Sequence, residues 1–141
     1  MSLEPFQYIL IPVAAWIAAQ GGKYALQALK RGDYKQADLL YKSGGMPSSH
    51  SAVVVSLATT IGLTEGFQSA QFGLSAVLAS IVIYDAINVR RAVGEQGDAL
   101  FALTKDKKEL TFFTAKGHTL PQVIAGGTLG FLASVIMLQF L

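Results

Sequence analysis

The chain has 141 residues, of which 52% are apolar and only 14% are charged, and it contains no cysteine. A soluble domain of this size needs a charged fraction nearer to about 25% to cover its surface, so the composition argues against a soluble globular protein. It also excludes a disordered chain, a disulfide-stabilised scaffold and a thiolate metal site. The net charge of +2 hides an uneven distribution, because all eleven Lys and Arg lie between Lys23 and Lys116.

Four apolar stretches follow one another along the chain, and each reaches or approaches the roughly 20 residues that a membrane-spanning helix needs. The second is uncharged but short, and the third is interrupted only by Asp85. None has the basic flank and cleavage site of a signal peptide, so we expect the first stretch to remain in the mature chain. The stretches are Pro5–Leu29, Ser48–Thr64, Ser69–Val89 and Gly117–Leu141.

This pattern predicts an all-α, polytopic membrane protein. We expect a helical bundle of about four transmembrane helices, with short amphipathic helices in the connections. Residues 34–41 and 99–115 are the candidates for these short helices. We expect residues 1–141 to form a single integral-membrane domain.

The basic residues predict the orientation of the bundle. Ten of the eleven lie in the two connections 30–47 and 90–117, and the eleventh, Lys23, lies near the end of the first stretch, whereas the turn 65–68 has none. With four spans, both basic connections fall on the same face of the membrane. The positive-inside rule predicts that this face is cytoplasmic.

The densest polar signal at this face is the sequence GGMPSSHS over residues 44–51. The two glycines permit a tight loop, Pro47 suits the first turn of a helix, and the serines suit the N-cap. Free backbone N–H groups at such a helix start form an anion site, and His50 can exchange a proton beside it. The plainer alternative is a helix cap with an interfacial histidine.

A second signal, DAINVRR over residues 85–91, closes the third stretch. Asp85 and Asn88 are predicted to share one helix face at i,i+3 spacing. The paired arginines carry planar, forked donors that suit phosphate oxygens. A basic flank that only sets topology would explain the arginines, but it does not explain an aspartate inside an apolar stretch.

The last stretch opens with GHTLPQVIAGG over residues 117–127, where His118 is followed by Gln122. Alone this is a weak signal, because a histidine at a helix start is commonly an interfacial anchor. Further along, Gly126 and Gly130 form a small-xxx-small pair, which predicts close packing against a neighbouring helix.

Taken together and in this order, these residues resemble the superfamily of type-2 phosphatidic acid phosphatases and vanadium-dependent haloperoxidases. The segment GGMPSSHSA, followed by YDA-x-x-VRRA-x-GEQ, is similar to the small divergent bacterial and plant branch of that superfamily. The resemblance covers nearly the whole chain, from Gln20 to the last helix.

The resemblance implies roles for residues in the first two motifs of the superfamily. Lys23 fits the lysine of the first motif, although Lys30 and Arg31 stand where the superfamily has an arginine-proline pair. The second motif, PSGH, matches residues 47–50 with a serine in place of the glycine. The resemblance therefore implies phosphate binding by Lys23, Ser48 and Ser49, and general-acid catalysis by His50.

The third motif of the superfamily is split in this chain by more than twenty residues, as is usual for the divergent branch. Either Arg90 or Arg91 resembles its phosphate-binding arginine, and His118 resembles its nucleophilic histidine. Gln122 stands where the superfamily has a carboxylate that orients this histidine, and a neutral amide supplies no negative charge. Asp85 is a candidate source of that charge from the third stretch.

The activity that the resemblance implies is metal-independent hydrolysis of a phosphate monoester or diphosphate, with no cofactor, through a phosphohistidine intermediate. Because the site lies at the ends of membrane helices, the implied substrate is a lipid phosphate such as phosphatidate, phosphatidylglycerophosphate or a prenyl diphosphate. We expect no nucleic-acid partner. Four short helices barely enclose a headgroup, so a homodimer is a further candidate assembly.

Two other functions fit the same residues. Because Gln122 replaces a carboxylate, one alternative is a catalytically lapsed relative that binds or transports anionic lipids. A proton-coupled transporter built on Asp85 and the histidines ranks last, since the chain lacks a second set of intramembrane carboxylates.

Overall fold

A computed structural model describes residues 4–31, 45–103 and 117–141 of the chain. Within these ranges the chain is helical and has no strand, which confirms the predicted all-α class. The candidate surface helix at 34–41 lies outside the described residues, and so does most of the candidate at 99–115. The elements in chain order are a 3-10 turn (Glu4–Phe6), α1 (Gln7–Arg31), α2 (Ser49–Thr64), α3 (Ala70–Tyr84), a π-helical turn (Asp85–Val89), α4 (Arg90–Leu103) and α5 (Leu120–Met137).

Among the described residues, three helical stretches are long and apolar enough to cross a membrane: Gln7–Leu29, Ala70–Leu103 and Leu120–Met137. The second of these is a continuous run of 34 residues through α3, the π turn and α4. The apolar helix α2 has 16 residues, fewer than the roughly 20 that a bilayer requires. The expected membrane bundle therefore consists of three long helices and one short one.

Large apolar side chains cover the outside of this bundle. Trp16 is 47% exposed, Leu74 is 74% exposed and Ile124 is 58% exposed. Water would solvate so much apolar surface poorly, whereas the hydrocarbon core of a membrane matches it. The short helix α2 has the central position, because it packs against α1, α3 and α5.

Small residues let α2 and α5 approach each other closely. A Cβ atom at Gly126 would overlap the C=O group of Ser48, and one at Gly130 would overlap the C=O group of Ala52. The two glycines therefore form the contact surface of α5. This confirms the close helix packing predicted from the small-xxx-small pair.

A buried hydroxyl cluster continues this interface along the two helices. The Oγ atom of Ser134 lies 2.9 Å from the Oγ atom of Ser56, and it accepts a hydrogen bond from the Thr60 hydroxyl at 3.2 Å. Hydrogen bonds between side chains of neighbouring helices stabilise membrane bundles. Together with the glycine contacts, they hold α2 and α5 in one register.

The direction of α1 brings its C-terminal half to the start of α2. At one end of the bundle, the Tyr8 hydroxyl donates to the Glu65 carboxylate. At the other end, Gly22 lies against Pro47, because a Cβ atom at this glycine would be 3.7 Å from the Pro47 ring. The two helices are therefore antiparallel, and Lys23 lies at the level of the loop before α2.

Candidate active site

The loop before α2 folds tightly against α1 at Gly45. This residue has a φ of +92°, which favours glycine, and a Cβ atom on it would lie 2.8 Å from the side-chain nitrogen of Gln27. The aliphatic part of Lys23 is the next neighbour, at 3.5 Å. Lys23 is only 5% exposed, so the loop and α1 enclose it beside the start of α2.

Ser48 is the N-cap of α2, as its place in the motif predicted. Its Oγ atom accepts hydrogen bonds from the Ser51 backbone N–H at 3.3 Å and from the Ser51 hydroxyl at 2.9 Å. Both Ser48 and Ser49 are buried. The backbone N–H of Ser48 donates to the C=O group of Gln122 at 3.0 Å, so the cap also ties α2 to the start of α5.

His118 precedes α5 and is held through both its backbone and its ring. It is 5% exposed, and its backbone N–H donates to the C=O group of Ala86 at 2.9 Å. Its ring Nδ1 lies 3.3 Å from Oε1 of Gln122, and the backbone N–H of Thr119 donates to the same oxygen at 3.1 Å. A backbone N–H can only donate, so this amide atom is an acceptor and Nδ1 of His118 carries the proton. In the neutral ring, Nε2 then keeps the electron pair that a nucleophile needs.

The surroundings of His118 keep this ring neutral at pH 7. Burial is the main cause, and it lowers the pKa of His118 below the ordinary value of 6.5. Hydrogen bonds to the Gln122 side chain and the Gly45 backbone raise this pKa, whereas the positive charges of Lys23 and Arg90 lower it. Because the lowering causes prevail, the neutral form of the ring predominates at pH 7.

The helix that carries Asp85 changes its hydrogen-bond pattern where it reaches this site. The backbone N–H of Arg90 donates to the C=O group of Asp85, instead of to the C=O group of Ala86 that an α-helix would use. The Ala86 carbonyl accepts from the His118 backbone. The π turn therefore supplies the acceptor that anchors His118.

The same turn brings Asp85 and Arg90 together. In a π-helix the hydrogen bonds join residues five apart, and the Oδ2 atom of Asp85 lies 2.6 Å from Nε of Arg90. The prediction for Asp85 and Asn88 assumed an α-helix, whereas the structure has a π-helical turn here. The Asn88 amide donates instead to the C=O group of Tyr84 at 3.3 Å.

The two adjacent arginines have different surroundings. The positive charge of Arg90 acts on the rings of both His50 and His118. Arg91 instead pairs with Glu95 at 3.0 Å, and these two side chains are 61% and 67% exposed. Of the two arginines that the sequence left open, the fold brings Arg90 to the histidines.

The two histidines are neighbours in space. Their ring centroids lie 6.4 Å apart, with the ring planes inclined by 59°. His50 is exposed, whereas His118 is buried. The charges of Arg90, Asp85 and Lys23 act on the His50 ring. We refer to Lys23, His50, Asp85, Arg90, His118 and Gln122 as the histidine site.

Two parts of this site were missed by the sequence analysis. Gly117 lets the segment before α5 lie against α4, because a Cβ atom there would overlap the backbone of Arg91. Ala86 contributes only its backbone carbonyl, which no side-chain pattern reveals. The contact made by Gln122 could have been predicted, since Thr119-x-x-Gln122 has the spacing of a capping box. In that motif the side chain of the third helical residue accepts a hydrogen bond from the backbone N–H of the N-cap residue.

Comparison with known proteins identifies the family. Residues 6–133 match the family described as "Divergent PAP2 family". The chain belongs to the divergent PAP2 family. It is 32% identical over 151 aligned positions to a Bacillus subtilis protein described as "Uncharacterized membrane protein YuiD", and the alignment covers 94% of each chain. No solved structure matches the chain. The family and the integral-membrane class predicted from the sequence are both confirmed.

In this divergent PAP2 protein, the two halves of the split third motif meet in space. The hydrogen bond from His118 to Ala86 and the contact of Gly117 with Arg91 join segments that the sequence separates by more than twenty residues. The insertion therefore does not separate the arginine from the histidine in the folded chain.

Proposed function

We propose that this divergent PAP2 protein is a membrane-embedded phosphatase that hydrolyses the phosphate monoester or diphosphate of a lipid without a metal ion. The observation that best supports this is the placement of the buried His118 ring, whose Nδ1 lies 3.3 Å from Oε1 of Gln122 and whose centroid lies 6.4 Å from that of His50. A buried neutral imidazole beside a second histidine suits a nucleophile with a general acid.

In the proposed first step, Nε2 of His118 attacks phosphorus with its electron pair. The P–N bond forms, the bond between phosphorus and the leaving oxygen breaks, and His50, whose protonated form the negative charge of the bound phosphate favours, gives its proton to that oxygen. In the second step, water attacks the phosphohistidine and His50 accepts a proton from it. The P–N bond breaks, which releases inorganic phosphate and restores neutral His118.

Lys23 and Arg90 are the proposed ligands of the phosphoryl oxygens. The charges of both act on the His118 ring, so both lie within electrostatic range of a phosphate held there. Backbone N–H groups at the start of α2, beside Ser48 and Ser49, supply further donors. Charge stabilisation of this kind is the main source of catalysis in phosphoryl transfer.

An apolar groove supports a lipid as the substrate. It lies between α1 and α5, has a volume of about 570 Å³, and is lined by Ala18 together with α5 residues from Ala125 to Ile136. Ala125 is one helical turn beyond Gln122, so a lipid with its phosphate at the histidine site would have its chain beside this groove. The basic connections at this end of the bundle support a cytoplasmic orientation.

The test is phosphate release by the purified protein in detergent, with phosphatidate, phosphatidylglycerophosphate and a prenyl diphosphate as substrates. We expect turnover in the presence of a chelator, inhibition by vanadate, and loss of turnover in His118→Ala and His50→Ala. Glu95→Gln is the control, because it changes an exposed residue outside the histidine site. Turnover retained by His118→Ala would contradict the role of His118 as the nucleophile. Turnover abolished by the chelator would contradict hydrolysis without a metal ion.

One observation favours a second function. Gln122 is neutral, so it does not stabilise the positive charge that His118 develops during the reaction. A catalytically lapsed protein that binds anionic lipids fits this feature. Lipid binding without turnover, unchanged in Gln122→Glu, would support that function. Turnover that appears only in Gln122→Glu would identify a lapsed phosphatase.

A further inference from the structure

We infer that Asp85 is a positioning residue, which holds the guanidinium group of Arg90 ready for a phosphate at the histidine site. The inference rests on the proposed function. It gives Asp85 a role in placing Arg90, and not the role of a countercharge to His118. It is carried by the ion pair within the π turn.

Asp85 occupies one edge of the Arg90 guanidinium. Its Oδ2 atom lies 2.6 Å from Nε, and the two side chains are only partly exposed, 36% for Asp85 and 42% for Arg90. An arginine has five N–H donors, so this bond uses one donor and leaves the four on the Nη atoms for other acceptors. Those four donors form the fork that binds phosphate oxygens in pairs.

The π turn makes this arrangement possible. In an α-helix, residues three or four apart are neighbours on the surface, and residues five apart are not. The turn Asp85–Val89 has the i to i+5 pattern, which brings the Asp85 carboxylate to Arg90. A flexible arginine loses rotamer freedom when it binds an anion, and an existing ion pair removes part of that loss beforehand.

The other role considered for Asp85, as the countercharge of His118, fits the contacts less well. Nδ1 of His118 is bonded to Oε1 of Gln122, which takes the place of an orienting carboxylate. The negative charge of Asp85 acts on the ring of His50, and its carboxylate bonds to Arg90. The contacts therefore favour a role in placing the arginine.

The experiment compares Asp85→Asn with Glu95→Gln in the full chain, purified in detergent. Each variant removes a carboxylate that bonds to the Nε atom of an arginine, and both ion pairs lie on the same continuous helix. They differ in their arginine, because Glu95 pairs with the exposed Arg91 and not with Arg90. The readouts are binding of inorganic phosphate by calorimetry, and KM and kcat for phosphatidate. We expect Asp85→Asn to weaken phosphate binding and to raise KM by about tenfold, with a smaller change in kcat. Glu95→Gln should match the wild type, and Asp85→Glu should recover part of the affinity.

A double substitution separates the two roles of Asp85. If Asp85 acts through the arginine, Asp85→Asn should have no further effect on KM or kcat in an Arg90→Gln background. A further loss of kcat in that background would show that Asp85 acts on a histidine and not through Arg90, which would overturn the inference. Unchanged or tighter phosphate binding in a folded Asp85→Asn protein would overturn it as well.

The failure of this inference is distinguishable from the failure of the proposed function. If the protein has no turnover but Asp85→Asn weakens its phosphate binding, the positioning role is supported and only catalysis is contradicted. A wild-type protein that binds no phosphate would overturn both. If Asp85→Asn does not fold, Asp85→Glu and Arg90→Lys provide the same comparison, and affinities equal to the wild type in both would refute the inference.

Discussion

The backbone N–H of His118 donates to the C=O group of Ala86 across 2.9 Å. This bond joins two segments that lie more than thirty residues apart in the sequence. It uses a carbonyl that the π turn releases from the usual helical pattern, because Arg90 donates to Asp85 instead. The position of the proposed nucleophile therefore depends on the π turn as well as on α5.

His50 is expected to matter in proportion to the basicity of the leaving group. His50→Ala should lower kcat on an alkyl phosphate by about 10²- to 10⁴-fold, because the leaving alkoxide then departs without a proton. The loss should be much smaller on p-nitrophenyl phosphate, whose phenolate leaves unprotonated. Steady-state kinetics on the two substrates measures the difference. Equal losses on both would show that His50 is not the general acid.

The protonation state of His118 can be measured directly, because the chain has only two histidines. Burial lowers the pKa of His118, so NMR titration of ¹⁵N-labelled, tag-free protein should give a midpoint below 6.5. Above the midpoint, the proton should reside on Nδ1. In Gln122→Glu, a carboxylate beside Nδ1 stabilises the imidazolium, so the pKa of His118 should rise.

A His50→Gln sample assigns the His118 signals in this titration. A wild-type midpoint above 6.5 would contradict the lowered pKa. A midpoint that does not move in Gln122→Glu would contradict the contact between His118 and residue 122.

Gly126→Ala is expected to lower the free energy of unfolding by about 1–3 kcal/mol, because its Cβ atom would overlap the backbone carbonyl of Ser48. The adjacent glycine is a matched control. In Gly127→Ala the Cβ atom would meet only the Val55 side chain at 3.5 Å, an ordinary contact, so its stability should stay near that of the wild type. Unfolding in detergent, followed by circular dichroism, measures both. If both variants unfold like the wild type, α2 and α5 are not packed this closely.

The groove between α1 and α5 predicts a dependence on lipid chain length. Ala125→Phe would fill the end of the groove nearest to the histidine site, so kcat/KM for a long-chain phosphatidate should fall by about tenfold or more. A dihexanoyl phosphatidate should be affected much less, because its short chains need little of the groove. Leu74→Phe, on the exposed surface of α3, is the control. Equal losses on both lipids would place the chains elsewhere.

Features that depend on one helix or on one short segment could be predicted from the amino-acid sequence. The apolar stretches predicted the membrane helices, because transfer of apolar side chains into lipid depends mainly on composition and length. The N-cap at Ser48 was predictable for a similar reason, since a cap satisfies N–H groups within its own first turn. The residues Lys23, His50, Asp85, His118 and Gln122 were also found from local sequence, as polar residues at helix ends.

The arrangement of these residues in space depends on how the helices pack together. The pairing of Asp85 with Arg90, and not with Arg91, follows from the π turn, because a change in hydrogen-bond register rotates every later side chain around the helix axis. Within the same π turn, the C=O group of Ala86 accepts a hydrogen bond from the backbone N–H of His118, which lies in a distant part of the chain. Hydropathy and motif spacing describe short stretches separately, so they do not contain a hydrogen bond between segments that meet only in the folded bundle.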